Sequence, residues 1–404
     1  MFPYGVECTV PRIALTVDEY NTHHANSLYL TISLKAHKAI NKLCSGAKKK
    51  ASKTFTRKQQ QHQPKWHRQY HCFPARDQKT PPHIEKGHWY AAQGDAPGTA
   101  YDIYGRNLLG FDDRDHKPFD GHISHPWDLE GQIKAIYQDV AERRVQLDDE
   151  ELRARGDDRP GHLRPYDSII LMGHSVGAYI SVDIFHRHMK NPKRAPHLHL
   201  QHGFLLFPTL TNIAKSPKGV QATVLRLVPT LESYGHIYAA YILHFFSLFV
   251  LHWILTRIMG FTHQTADVTA HWLKSRDGVR QALHMGISEL DNIREEKWEE
   301  ELWEVAEATE TNTNDNDNDG DVKRAAVLRQ QTPKFFMFYG KHDHWVANHM
   351  RDAFIKKRKE HGTRGGRTKI EVDEGDIPHA FCVQEHTSWV IAKKVAEWIA
   401  EIEG

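Results

Sequence analysis

The chain has 404 residues; at about 150 residues per domain that is a prior of two or three domains, although one elaborated α/β domain can fill most of such a length. With 40% apolar and 26% charged residues it has the composition of a folded soluble protein, which excludes wholesale disorder, collagen-like repeats and a multi-span membrane protein. The 53 basic and 51 acidic side chains leave a net charge of +2, so nothing pulls the molecule globally toward nucleic acid, and no nucleic-acid partner is expected.

In chain order, the N-terminus MFPYGVECTVPRIALTV has no basic stretch followed by a clean apolar core, and no secretory signal is expected. Lys35 to Lys86 then carries fourteen Lys/Arg against two acids, with the runs Lys48–Lys50 and Gln59–Gln61. Periodicity is poor there, so residues 1–85 are expected to be a basic arm without regular structure. Regular structure is predicted from Thr99. Ala100–Tyr104 before Gly105 reads as a strand ending in a turn, and Asp128 to Val145 sets Leu129, Ile133, Ile136 and Val140 at helical spacing. Tyr166–Met172 is an apolar run of the kind a central parallel strand shows, followed by a helix over Val176–Met189. Gly203–Phe207, closed by Pro208, Phe335–Tyr339, closed by Gly340, and Lys369–Val372 are further strands; Thr387–Ile402 is a closing amphipathic helix.

Alternating strands and helices predict a doubly wound, mostly parallel α/β sheet over residues 86–404. The alternation breaks over about residues 216–330, predicted to be a helical cap or lid insertion. It holds an apolar run, Ile237 to Phe261, an acidic segment, Glu289 to Glu307, expected to be a solvated helix, and the low-complexity stretch Asn312 to Asp321.

The sharpest local pattern is Gly173-His174-Ser175-Val176-Gly177, a G-x-S-x-G that sits directly between a predicted strand and a predicted helix. That context matters more than the five letters. A strained strand-to-helix turn lifts a serine oxygen above the sheet, and small residues two places either side let neighbouring backbone approach. The backbone N–H of Val176 is then a candidate oxyanion donor at the helix start. A serine nucleophile needs a base and an orienter, which this architecture supplies in the order serine, acid, histidine. Asp343 follows a late strand and His379 follows the last one, so Ser175, Asp343 and His379 are the candidate catalytic residues. Asp376 is a rival orienter, badly placed on the same loop as His379.

His342 and His344 flank the acid but are two apart with no third ligand at recognisable spacing, so no metal is expected. Asp315 to Gly320 imitates the start of a calcium loop, yet its twelfth position is Ala326 where a bidentate Glu is required, and it reads as linker. Cys8, Cys44, Cys72 and Cys382 lie far apart without a C-x-x-C pair, which predicts reduced thiols rather than a disulfide scaffold.

Taken together, these pieces resemble the lipid droplet-associated hydrolases, an α/β-hydrolase family. The resemblance is carried in order by Tyr101–Gly105 (YDIYG), Leu129–Ile133 (LEGQI), Gly173–Tyr179 (GHSVGAY), Leu205–Thr209 (LLFPT), Ser216–Gly219 (SPKG), Phe338–Gly340 through Asp343 and Trp345, and Ile377–Phe381 (IPHAF). It implies an α/β-hydrolase fold, Ser175, Asp343 and His379 as a triad, and association with lipid droplets and the endoplasmic reticulum. It also implies action on a lipid ester, with sterol esters and acylglycerols the candidates. The sequence departs from the family before Thr99. There the family has an apolar strand, a Gly-Asn-Pro-Gly-like loop supplying a second oxyanion donor, and a helix. Only Gly94–Gly98 (GDAPG) resembles that loop, so this part is expected to be atypical or truncated.

Ile237 to Phe261 is 25 residues long, enough to span a bilayer at about 1.5 Å per residue. A single span is excluded, because Ser175 precedes the run while Asp343 and His379 follow it, and one site needs all three on one side. The run is therefore expected to be a hairpin, an in-plane helix or a lid helix, with Phe245, Phe246, Phe249, Trp253 and Phe261 suited to a membrane or droplet interface. The expectation is a serine esterase working without a cofactor at the cytosolic face of a droplet or reticulum surface. Its rivals are a catalytically weak protein that organises droplets through the apolar insertion, and a soluble esterase with no membrane role.

Overall fold

The computed structural model describes residues 12–19, 90–93, 100–111, 126–146, 163–228, 230–303, 334–362 and 367–403. Among the described residues seven strands form one sheet: β1 (Arg12–Glu19), β2 (Tyr90–Gln93), β3 (Ala100–Asn107), β6 (Ser168–His174), β7 (Leu200–Leu206), β8 (Phe335–Tyr339) and β9 (Thr368–Val372). Their spatial order is β2-β3-β1-β6-β7-β8-β9. Every neighbouring pair is parallel except β2 against β3, so an antiparallel strand closes one edge. A separate short ribbon pairs β4 (Val145–Gln146) with β5 (Leu163–Arg164).

Strand β6, the second half of β7 and β8 are buried on both faces, which is why they read in sequence as continuous apolar runs. Successive side chains point to opposite faces. Ile169 and Leu171 of β6, with Phe335, Met337 and Tyr339 of β8, join one core cluster. Ile170, Met172, Phe336 and Phe338 join the other. Helices α1 (Leu129–Glu142) and α2 (Val176–Lys190) cover the first face through Leu129, Ile133, Ile136, Tyr137 and Val140, and Val176, Ile180 and Ile184. The last helix, α9 (Glu385–Glu403), covers the second with Ile391, Val395 and Trp398.

Arg12–Glu19 corrects the expectation of an arm without regular structure over residues 1–85. It lies at the heart of the sheet, Leu15 standing level with Ile103 on one side and Ile170 on the other. The physical reason is visible in RIALTVDE, where Ile13, Leu15 and Val17 alternate as a strand requires. The rest of the expected arm, Gly94–Gly98, the calcium-loop mimic and the low-complexity stretch lie outside the described residues.

The insertion leaves β7 through helices α3 (Pro217–Arg226), α4 (Leu231–His244), α5 (Leu248–Arg257), α6 (His263–Leu273) and α7 (Gly278–Asn292). The apolar run falls in α4 and α5, two helices bent by 98° at a short break. No single described helix is long and apolar enough to cross a membrane. Lys274 holds the bend, its Nζ donating to the carbonyls of Leu243 at 2.9 Å and Phe246 at 3.0 Å, at the C-terminal end of helix α4. The inner side of α5 packs Leu251 and Leu255 on Ala266 and Ala270 of α6. Its outer side leaves Phe249 79% and Trp253 49% exposed.

Over its described part, to Trp303, the segment Glu289 to Glu307 is not the solvated helix expected. Helix α7 ends at Asn292, and the chain continues to a short turn, Glu300–Trp303, with Trp298 buried before the turn and Trp303 buried at its end. Trp298 packs at 5.0 Å on Tyr179 and sends its Nε1–H toward Asp183, while Trp303 lies against Phe335 and Phe354. The charges that suggested solvent are used locally: buried Asp183 binds Lys297 and Arg187 at 2.6 Å each, and Glu296 pairs with Arg358 of helix α8 (Asn348–Gly362).

Candidate active site

The three candidate residues come from three places in the chain and meet at one edge of the sheet, because each follows the C-terminal end of a parallel strand. Ser175 follows β6, Asp343 follows β8 and His379 follows β9. This edge, at the point where strand order reverses about β1, is where ligand crevices form in open α/β sheets.

Ser175 has φ 56° and ψ −120°, the strained turn that the G-x-S-x-G context predicts. The strain is held by close packing. A Cβ on Gly173 would sit 2.3 Å from the backbone of Gly177, so strand and helix can approach only because that position is glycine. Gly173→Ala is expected to destabilise the protein by about 1–3 kcal/mol and to lower hydrolysis with it, checked by thermal unfolding beside an ester assay. Val176 opens α2, in the first turn where helical N–H groups lack intrahelical partners. Gly94–Gly98, which resembles the loop expected to supply the second oxyanion donor, is outside the described residues.

His379 Nε2 lies 2.8 Å from Ser175 Oγ, and its Nδ1 lies 2.7 Å from Asp343 Oδ2. The carboxylate can only accept, so Nδ1 carries the proton and Nε2 presents its lone pair to the serine hydroxyl. Asp343 has a side chain 1% exposed, and its other oxygen accepts the Trp345 N–H at 2.8 Å. Arg351 pins the acid loop from below, donating to the carbonyls of Gly340 at 2.7 Å and Lys341 at 3.0 Å. Asp376 is exposed, and Asp343 takes the imidazole instead. His342 and His344 are exposed beside the acid.

His174 is buried, and burial, reinforced by the nearby His379, pushes its pKa down from 6.5 to about 3. The folded protein keeps this ring neutral where the unfolded chain takes up a proton. Its contribution is therefore complete above pH 6.5 and is lost progressively as pH falls toward 3, by on the order of 1 kcal/mol per pH unit. Thermal unfolding between pH 7 and 4 is expected to show the midpoint dropping below about pH 6.5, with a shallower drop in His174→Gln.

The insertion is fastened to both loops that serve Ser175. The Lys218 N–H, at the start of α3, donates to the His344 carbonyl at 3.0 Å. The Thr262 N–H, just after α5, donates to the Val383 carbonyl at 3.4 Å. A cleft of about 590 Å³ opens between Phe261, Thr262, Gln384 and Trp389, and touches none of the three candidate residues.

Sequence reasoning missed Arg351, His174's contact with the base loop, and Lys274. Only His174 carried a local signal, as the residue before the nucleophile.

A family model described as lipid-droplet associated hydrolase matches residues 96–382. Among curated proteins, the lipid droplet-associated hydrolase of Mus musculus is 27% identical over 242 residues and that of Rattus norvegicus 25% over 242, each match covering 59% of this chain and 59% of the relative. The chain thus spans about 59% of the length of the curated relatives it matches. Among solved structures, the haloalkane dehalogenase DbeA of Bradyrhizobium elkani aligns with a TM-score of 0.43 and 12% identity, covering 98% of this chain and 91% of that one.

Proposed function

The chain belongs to the lipid-droplet associated hydrolase family, and from that premise we propose that it is a serine hydrolase cleaving carboxylic esters of lipids, of sterol ester or acylglycerol type, at a lipid droplet or reticulum surface facing the cytosol. The observation that carries this reading is the hydrogen-bonded line from Ser175 through His379 to Asp343, at 2.8 and 2.7 Å.

In the proposed reaction His379 Nε2 takes the Ser175 hydroxyl proton as the oxygen attacks the ester carbonyl. Asp343 holds the imidazole tautomer and stabilises the imidazolium. The Val176 N–H faces the oxyanion of the tetrahedral intermediate. His379 then passes its proton to the leaving alkoxide, leaving an acyl-serine. A water molecule, deprotonated by the same nitrogen, attacks the acyl carbon, and collapse releases the acid and restores Ser175.

The lipid surface is supported by the outer face of the insertion. Tyr241, Ile242, Phe245, Leu248 and Phe249 are exposed, and the 98° bend between α4 and α5 suits two short helices seated at an interface better than one straight span. Ser175 can then share one side with Asp343 and His379 while α4 and α5 dip into the lipid. The test is fatty-acid release from emulsified sterol esters and acylglycerols by wild-type protein and Ser175→Ala. Release that depends on Ser175 supports the proposal. No release by folded, droplet-bound protein overturns it in favour of a droplet-organising role.

A further inference from the structure

We propose that His174 is a positioning residue for the base: from the place before the nucleophile, its ring grips the backbone of His379 and so sets the line from His379 to Ser175. The proposal rests on the reading of Ser175, His379 and Asp343 as a catalytic triad.

His174 is the last residue of β6 and is 1% exposed. Its Nε2 lies 2.9 Å from the carbonyl oxygen of His379 itself. A carbonyl only accepts, so Nε2–H is the donor and Nδ1 holds the lone pair. That Nδ1 is buried and has no hydrogen-bond partner among the described residues. An imidazole here therefore carries a desolvation cost that a phenyl ring of similar shape would avoid. What the imidazole supplies in return is the Nε2–H bond to the base loop.

That loop needs such a tie. His379 lies between the end of β9 at Val372 and the short turn Phe381–Val383, with Glu374, Gly375, Asp376 and Pro378 all exposed. The Ile377 N–H donates to Asp373 within the loop, at 3.1 Å. The bond from His174 reaches in from the rigid sheet, on the residue next to the nucleophile, and so couples the backbone of the base to that of Ser175. Aromatic packing fixes the donor ring: Phe381 meets it edge-on at 4.9 Å and Phe207 at 6.3 Å, and the His379 ring is 5.1 Å away. Burial keeps His174 uncharged, so it stays a single-proton donor and does not compete as a base.

The test compares His174→Phe, which keeps a ring but removes the N–H, with His174→Gln, whose amide N–H reaches a similar place. Both are assayed on a soluble p-nitrophenyl butyrate substrate with the full chain, beside Ser175→Ala. A displacement of the base by about 1 Å costs on the order of 100-fold. His174→Phe is therefore expected to lower kcat by about 10–100-fold with KM near wild type, and His174→Gln to recover most of the loss. Wild-type kcat in folded His174→Phe, or His174→Gln as impaired as His174→Phe, overturns the proposal. Should His174→Phe not fold, His174→Gln decides alone: kcat within about threefold of wild type supports the bond, and a 10-fold or greater loss overturns it. Failure of the triad reading looks different, because Ser175→Ala would then retain hydrolysis whatever the His174 variants do.

Discussion

Ser175→Ala is expected to lower kcat for ester hydrolysis by on the order of 10⁴–10⁶ while leaving the fold intact. The fold is spared because alanine and serine share the Cβ that φ 56° strains, so the exchange adds no backbone cost. What is removed is the oxygen 2.8 Å from His379 Nε2. His379→Ala should fall by a similar factor, and the double variant hardly further, because nucleophile and base act as one unit. Steady-state hydrolysis of a soluble ester, with circular dichroism to confirm folding, measures both. Residual activity within about tenfold of wild type in Ser175→Ala would place the chemistry elsewhere.

The second large effect concerns lipid. Phe245 and Phe249 are 70% and 79% exposed on the bent pair, so replacing both with aspartate should leave thermal stability within about 0.5 kcal/mol. Each phenyl ring lost from an apolar phase forfeits about 1.5–3 kcal/mol, and each carboxylate adds a further penalty. Partition onto phospholipid-coated triacylglycerol droplets should fall on the order of 100–10,000-fold, read by flotation. Hydrolysis of a soluble short-chain ester should persist, since neither ring belongs to the core cluster beneath the elbow. Undiminished flotation of the double variant would mean that α4 and α5 do not hold the lipid.

Much of the sheet was legible because β6, β7 and β8 are apolar on both faces and end in Gly or Pro. Ser175 stood out because its motif lies between a strand and a helix, and Asp343 and His379 followed from chain order. Strand β1 escaped because it precedes the long basic stretch from Lys35 to Lys86 and was read with it as one arm, while its parallel partner β3 begins only at Ala100. Such pairing leaves no local trace. Trp298 and Trp303 were misread because Glu295, Glu296 and Glu299–Glu301 dominate their surroundings. The partners that neutralise Glu296 and Glu299 are Lys357, Arg358 and Lys190, far away in sequence. For the apolar run the sequence leaves a hairpin, an in-plane helix and a lid helix open, and does not show the bend between α4 and α5, which is held by Lys274, outside the run.

The most direct test of the account is the site of covalent attack. The full-length chain is treated with a fluorophosphonate and the modified peptide is identified by mass spectrometry. The account predicts a single adduct on Ser175, formed by wild-type protein and absent in His379→Ala, because only a serine whose proton is taken by a neighbouring base reacts at a useful rate. Folded wild-type protein that stays unlabelled, or that carries its adduct on another residue, would contradict it.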